Sequence, residues 1–306
     1  MVVVNWNRKE LLRACLKSVE RQVGVSFETI VVDNGSADGS AEMAEREFAA
    51  RVIRNRENRG FCAANNQGIA AAEGEFVALL NNDTEADPNW ASAVIDAFTR
   101  HAEIGSVASK MLLFDQRDHI HTAGDYFTRD GRAGNRGVWQ KDDGQFDREE
   151  YVFSACGGSS AYRRTLLDQV GLLDDDFFFS LEDVDLGWRA QLAGWRCLYT
   201  PAAIVYHHLS ATGGGVTASY YDGRNLIYVL VKVYPFWGKD ALRILRAQMR
   251  LAWDALRSWR GAAARARLRG MIAGLRGVPL MLRKRRLIQT QRRATDAELE
   301  ALLMQR

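Results

Sequence analysis

Over its first hundred residues the chain alternates short apolar runs with segments whose apolar positions recur at helical spacing. Residues 2–6 read as a strand, and Leu11, Leu12, Cys15, Leu16 and Val19 then fall on one helical face. Residues 30–32 form the next strand and 40–48 the next helix. Val52-Ile53 is a short strand, followed by a helix over 61–72. Residues 76–80 are almost continuously apolar, as a parallel strand covered on both faces requires. Such strand–helix alternation builds an α/β fold around a mostly parallel sheet. A charged, glycine-rich stretch over 115–150 predicts a hairpin or flap. An apolar segment over 152–162 precedes a helix near 164–170. Phe177-Phe178-Phe179 reads as a strand, and 181–193 as a helix stopped by Gly194. Residues 197–200 and 204–206 close the sheet region.

From Tyr220 the pattern is helical to the end. Leu242, Leu245, Met249, Ala252, Trp253 and Leu256 form an apolar stripe, with Arg243, Arg246, Arg250 and Arg257 on another face. Charge divides the chain at the same place. Residues 238–306 carry 17 Lys and Arg against 5 Asp and Glu, so the net charge of +3 conceals a basic extension on an acidic body, 1–237. Such a division suggests different partners for the two parts. The four cysteines are too scattered for a disulfide framework or a thiolate metal site, which suits a reducing cytoplasm. No stretch is apolar enough to span a bilayer, and the chain opens inside a strand, so a few strand residues are expected upstream.

In open α/β sheets, ligands bind beyond the carboxyl ends of the strands. Those ends are polar here. Asp33, in Asp33-Asn34-Gly35-Ser36, reads either as part of a turn or as an acceptor for a base N–H. Asp83, in Asn81-Asn82-Asp83-Thr84, reads either as a polar turn or as the single carboxylate that a hard cation shared with a diphosphate needs. Glu182, Asp183 and Asp185 open a helix beside three phenylalanines. The helix dipole explains one acidic residue there, and a carboxylate against an aromatic wall suits a general base. His207-His208, ahead of Ser210 and Gly213-Gly214-Gly215, leans toward metal ligation or phosphate contact over a structural role.

In order and placement these blocks resemble the family 2 glycosyltransferases, which have the A-type nucleotide-sugar transferase fold, and within them the rhamnosyltransferase-like members. The resemblance runs from Val2 to about Asn225 through Val4-Asn5-Trp6-Asn7, Val32-Asp33-Asn34-Gly35-Ser36, Glu57-Asn58-Arg59-Gly60-Phe61, Leu79-Leu80-Asn81-Asn82-Asp83-Thr84, Glu182-Asp183-Val184-Asp185-Leu186 and Val205-Tyr206-His207. It implies that Trp6 stacks on the donor's base and Asp33 bonds its edge, with Asn58, Gly60, Asn65 and Asn82 lining the donor pocket. Asp83 and His207 would hold a divalent cation, Mg²⁺ or Mn²⁺. The family's first metal-motif aspartate is Asn81 here, which lowers the anionic charge. Asp183 would be the catalytic base, with Glu182 and Trp188 on the acceptor side.

The implied reaction is metal-dependent, inverting transfer of a sugar, rhamnose by family proximity, from a dTDP or UDP donor. The acceptor would be a hydroxyl of a saccharide or lipid-linked molecule in cell-surface polysaccharide synthesis. Processive synthases carry Gln-x-x-Arg-Trp and membrane spans; Gln191-Leu192-Ala193-Gly194-Trp195-Arg196 only scrambles those letters, so single-sugar transfer is expected. Three alternatives compete with this reading. A nicotinamide or flavin dehydrogenase needs a glycine-rich turn after the first strand, where Asn5-Trp6-Asn7-Arg8-Lys9 stands. A sugar-phosphate nucleotidyltransferase of related fold would show a Gly-rich, basic loop there. An inactive scaffold with a membrane-binding tail is the third. For the basic extension, packing on the domain and peripheral contact with the inner face of the cell membrane are equally weighted. Nucleic acid is disfavoured because no aromatic platform accompanies Arg283–Arg286.

Overall fold

The computed structural model describes residues 1–208 and 215–304. Ser210, Gly213 and Gly214, singled out for phosphate contact, lie outside the described residues. In chain order the elements are β1 (Val2–Asn5), α1 (Lys9–Glu20), β2 (Thr29–Asp33), α2 (Ser40–Glu47), β3 (Ala50–Arg54), α3 (Phe61–Ala71), β4 (Phe76–Asn81), β5 (Thr84–Ala86), α4 (Trp90–Arg100) and β6 (Ile104–Leu113). There follow β7 (Ile120–Ala123), β8 (Asp125–Thr128), β9 (Ala133–Asn135), β10 (Glu150–Val152), β11 (Ser159–Arg163), α5 (Arg164–Val170), α6 (Glu182–Leu192) and β12 (Arg196–His207). The chain continues through α7 (Gly215–Lys232), α8 (Trp237–Arg257), α9 (Ala262–Arg276), α10 (Val278–Thr290), α11 (Asp296–Leu302) and β13 (Leu303–Met304).

The central sheet runs β10-β12-β6-β11-β4-β1-β2-β3, with β5 on β12 and β7 on β6. The α/β expectation holds. β3, β2, β1 and β4 are parallel, as their apolar runs predict, whereas β11 lies antiparallel between β4 and β6. Hydrophobic cores fill both faces: Val2, Ile30, Val32 and Leu79 point to one, and Met1, Val3, Val31 and Leu80 to the other. Period-two alternation of apolar residues against helices on both sides is what makes these strands read as continuous runs.

Phe177-Phe178-Phe179 is not a strand. A short 3-10 turn ends at Phe177, and Phe178, Ser180 and Leu181 all take left-handed backbone, with φ of 62°, 71° and 63°. The C-terminal helices close the molecule. α9 crosses α7 so tightly that a Cβ on Gly270 would fall 2.0 Å from the Tyr220 carbonyl oxygen. β13 pairs with β8, which makes the chain's last strand part of the small sheet β13-β8-β9.

Candidate active site

A cleft of about 910 Å³ opens beyond the carboxyl ends of β1, β2 and β4. Asn5, at the end of β1, organises that edge. Its Nδ2 donates to Asp33 Oδ1 (3.3 Å) and Ser36 Oγ (3.2 Å), and its Oδ1 accepts from Asn82 Nδ2 (2.6 Å). Asn34 fixes the 55–60 loop beside it, donating to Asn58 Oδ1 (3.0 Å) and the Gly60 carbonyl (3.1 Å) while accepting from Arg59 N–H (3.0 Å). Gly60 has φ 87°, and a Cβ there would lie 2.5 Å from the Phe178 ring. The site therefore needs glycine, because both the backbone and the ring exclude a side chain.

The opposite wall is acidic. Asp183, in the first turn of α6, accepts from Gly157 N–H at Oδ2 (2.7 Å) and from Val184 N–H at Oδ1 (2.8 Å). Burial raises its carboxyl above the usual aspartate range, against the lowering pull of those backbone donors. Burial, reinforced by Asp183, holds Glu182 well above the ordinary range, and its Oε2 has no hydrogen-bond partner. Asp125 of β8 completes the wall. It is buried, accepts from Ser154 Oγ (3.1 Å) and Asn135 Nδ2 (3.2 Å), and is likewise raised by burial and by Asp183. The sequence pattern missed Asp125 in the presumed flap. Its signal was that it is the one charged residue between His121 and Thr128, among apolar neighbours.

Trp6, Asn58, Gly60, Asn82, Glu182 and Asp183 all line the cleft, so six of the predicted residues come together. Trp6, 51% exposed, leaves a free indole face at the rim. Three predicted residues stand elsewhere. Asp33 is buried behind Asn34 and accepts from Ser36 N–H (2.9 Å), the turn role rather than a cleft-facing one. Asn65 is buried in α3 and donates back to the Phe61 carbonyl (3.0 Å). Trp188 lies in the core against Phe127, Phe153 and Tyr234, which corrects its placement on the acceptor side. Five residues along a helix turn a side chain about 140° from Asp183, away from the cleft. The C-terminal helices contribute a wall of their own: Thr217, Asp222 and Leu226 of α7, Leu251 of α8 and Arg267 of α9 line the cleft with Arg132.

Pairing of β12 with β5 sets His207 opposite Thr84. His207 Nε2 is thereby 3.2 Å from Asp83 Oδ1, and its Nδ1 is 3.2 Å from Nδ1 of His121, which lines the cleft. Burial first, then His207, pushes the His121 imidazole down to about 3, so it stays neutral. Asp83 and His207 lie just behind the cleft surface. A carboxylate and an imidazole fit a divalent cation whose other positions come from phosphate and water. Among the described residues no group of three or more His, Cys, Asp or Glu could enclose one unaided.

This architecture is that of the A-type nucleotide-sugar transferases. Among solved structures, the chain superposes on GalNAc-T7 with UDP, GalNAc and Mn²⁺ at TM-score 0.63 (15% identity, 78% of this chain and 48% of that one). It superposes on the Pyrobaculum calidifontis mannosyltransferase PcManGT with GDP-Man and Mn²⁺ at TM-score 0.55 (15% identity, 98% and 77%). The sequence profile of glycosyl transferase family 2 matches residues 1–171. The chain belongs to that family. It is 32% identical over 232 residues to the uncharacterized protein y4gI of Sinorhizobium fredii, covering 70% of this chain but only 25% of that one. It is 28% identical over 244 residues to the N-acetylglucosaminyl-diphospho-decaprenol L-rhamnosyltransferase of Mycobacterium tuberculosis (72% of this chain, 79% of that one).

Proposed function

We propose that the chain transfers one sugar, with inversion, from a dTDP or UDP donor to a hydroxyl of a saccharide or lipid-linked acceptor in cell-surface polysaccharide synthesis. The observation that carries this reading is the arrangement of a single cleft. A donor-side rim of Trp6, Asn58, Gly60 and Asn82 faces a wall bearing Asp183, whose carboxylate two backbone N–H groups hold in place. L-Rhamnose is the favoured sugar, supported by the mycobacterial relative's name.

The chemistry follows from those positions. Trp6 stacks on the base, and the amides of Asn58 and Asn82 bind and orient the donor. Asp183 takes the proton from the acceptor hydroxyl as that oxygen bonds to the anomeric carbon, and the bond to the diphosphate breaks on the opposite face. A single displacement inverts the anomeric centre. Asp83 and His207 would hold Mg²⁺ or Mn²⁺, which neutralises charge on the leaving diphosphate when bound. By this reading the protein works in the cytoplasm.

The test is turnover of a panel of dTDP and UDP sugars with Mn²⁺ or Mg²⁺, with the product anomer read by NMR. Asp183→Asn should keep its fold and lose activity ~10²–10⁴-fold, the usual contribution of a positioned base. Near-normal turnover by that folded variant would remove Asp183 from its role. Release of pyrophosphate from a nucleoside triphosphate and a sugar phosphate would replace transfer with nucleotidyl chemistry.

A further inference from the structure

Helix α8 divides its surface three ways. Its packing face is built of small and medium residues, with Ile244, Ala247 and Ala255 buried. Leu242, Leu245, Met249, Trp253 and Leu256 recur at i, i+3, i+7, i+11 and i+14, and so share another face. They are 59%, 55%, 62%, 60% and 50% exposed. Arg243, Arg246, Arg250 and Arg257 are exposed on the neighbouring face and border that stripe. Five large apolar residues of this helix therefore point out of the molecule, while Ile244, Ala247 and Ala255 hold it down.

Five large apolar residues in one exposed row mark an interaction surface. The charge beside them identifies the partner. A second copy of the chain, docked stripe to stripe about a two-fold axis, would set one arginine row near the other, which like charges oppose. A bilayer with anionic headgroups accepts both features at once: apolar side chains enter the acyl boundary and guanidinium groups meet phosphates. Residues 238–306, with 17 basic and 5 acidic side chains, add to that attraction. No helix among the described residues is long and apolar enough to cross the bilayer, so contact lies at its surface.

We infer that α8 docks this protein on an anionic phospholipid surface, with Leu242, Leu245, Met249, Trp253 and Leu256 immersed and the arginine row on headgroup phosphates. Leu251 of the same helix and Arg267 of α9 line the cleft. Docking therefore sets the cleft beside the headgroups, where an acceptor carried on a lipid is presented. That last step rests on the proposed transfer; the lipid contact does not.

The full chain is floated with phosphatidylcholine vesicles with and without phosphatidylglycerol, at low and at physiological salt. Binding should need phosphatidylglycerol and weaken with salt. Arg243→Gln, Arg246→Gln and Arg250→Gln should each weaken it about 5-fold. Met249→Asp with Trp253→Asp should abolish flotation at an unchanged melting temperature, because both side chains are solvent-exposed. Equal flotation of wild type and that double variant would overturn the inference. So would a wild-type chain that does not float but forms a dimer, seen by light scattering, that the double variant dissociates. Transfer to a soluble acceptor without vesicles reads the catalytic proposal separately and should be the same in the double variant.

Discussion

The loop that leads into α6 offers the sharpest test of how the site is held. Phe178, Ser180 and Leu181 sit in left-handed backbone, which costs roughly 1–3 kcal/mol at each non-glycine position. One buried side chain of α7 bridges three of its carbonyls. Asn225 Nδ2 donates to the carbonyls of Phe177 (3.0 Å), Phe179 (2.8 Å) and Ser180 (2.7 Å), and Arg224 Nε donates to its Oδ1 (2.8 Å). In Asn225→Ala both N–H donors are lost to buried carbonyls. The Phe177 carbonyl keeps Arg224 Nη2 (2.7 Å), so the Phe179 and Ser180 carbonyls are the acceptors left unpaired, and at roughly 1–3 kcal/mol each the loss is on the order of 2–6 kcal/mol. That is comparable with the stored strain, so the loop should relax before the chain unfolds. The consequence reaches both walls of the cleft. Leu181 precedes α6 and Asp183, while the Phe178 carbonyl accepts from Phe61 N–H (2.7 Å) at the start of α3 and its ring covers Gly60. A displacement of about 1 Å at the base costs on the order of 10²-fold in rate. Steady-state kinetics with thermal unfolding should show kcat/KM reduced on that scale and a melting temperature lower by a few degrees. A variant with wild-type kinetics would refute the coupling, even if its melting temperature fell.

Two further outcomes follow from buried charge. Because the folded state holds the Glu182 proton more tightly than the unfolded chain does, this group favours the fold below the unfolded pKa. That contribution is lost as pH rises toward the raised folded value. Glu182→Gln should therefore raise the melting temperature at pH 7 and change it little at about pH 4; an equal effect at both would show that the side chain stays ionised. Lys232 Nζ lies 2.6 Å from Asp174 and 2.7 Å from Asp185, with Lys232 and Asp185 buried and Asp174 partly so. Lys232→Met leaves Asp185 with only Arg189 and should cost roughly 3–5 kcal/mol by urea unfolding at neutral pH. A loss below about 1 kcal/mol would show that the Arg189 and Lys284 contacts suffice.

What the sequence displayed best was the half of the sheet whose strands are buried on both faces, since an unbroken apolar run announces such a strand. β6 is just as buried along its length but carries Gly105, Ser106, Ser109 and Lys110, and it escaped notice. The structure explains the lysine: Lys110 Nζ reaches Asp142 (2.6 Å) and Asp147 (2.7 Å), partners contributed by a distant loop. The aromatic run 177–179 mimicked a strand because the residue that bends it, Asn225, lies far along the chain. Of the three acidic residues opening α6, local sequence could not say which faced the cleft. Asp185 proves to be the ion-pair partner of Arg189 and Lys232, leaving Glu182 and Asp183 for the cleft. The stripe on α8 was legible as a stripe, but its direction was set by Ile244, Ala247 and Ala255 on the packing face.

The change of charge after residue 237 therefore marks a change of composition that packing does not follow. α7 fixes the approach to α6 through Asn225 and anchors α6 itself through Lys232. α9 locks onto α7 at Gly270. In α10, Lys284 pairs with Asp174 (2.5 Å) and Asp176 (2.6 Å), and Arg285 donates to the Tyr234 carbonyl (2.8 Å), so two of the four consecutive basic residues are turned inward. β13 then joins β8, the strand that carries Asp125. Two of these contacts reach the acidic wall or its helix directly: Lys232 holds Asp185 of α6, and β13 pairs with the strand that carries Asp125. Helices used in this way position the wall that bears Asp183, and they leave the outward stripe and arginine row of α8 exposed to meet a second partner.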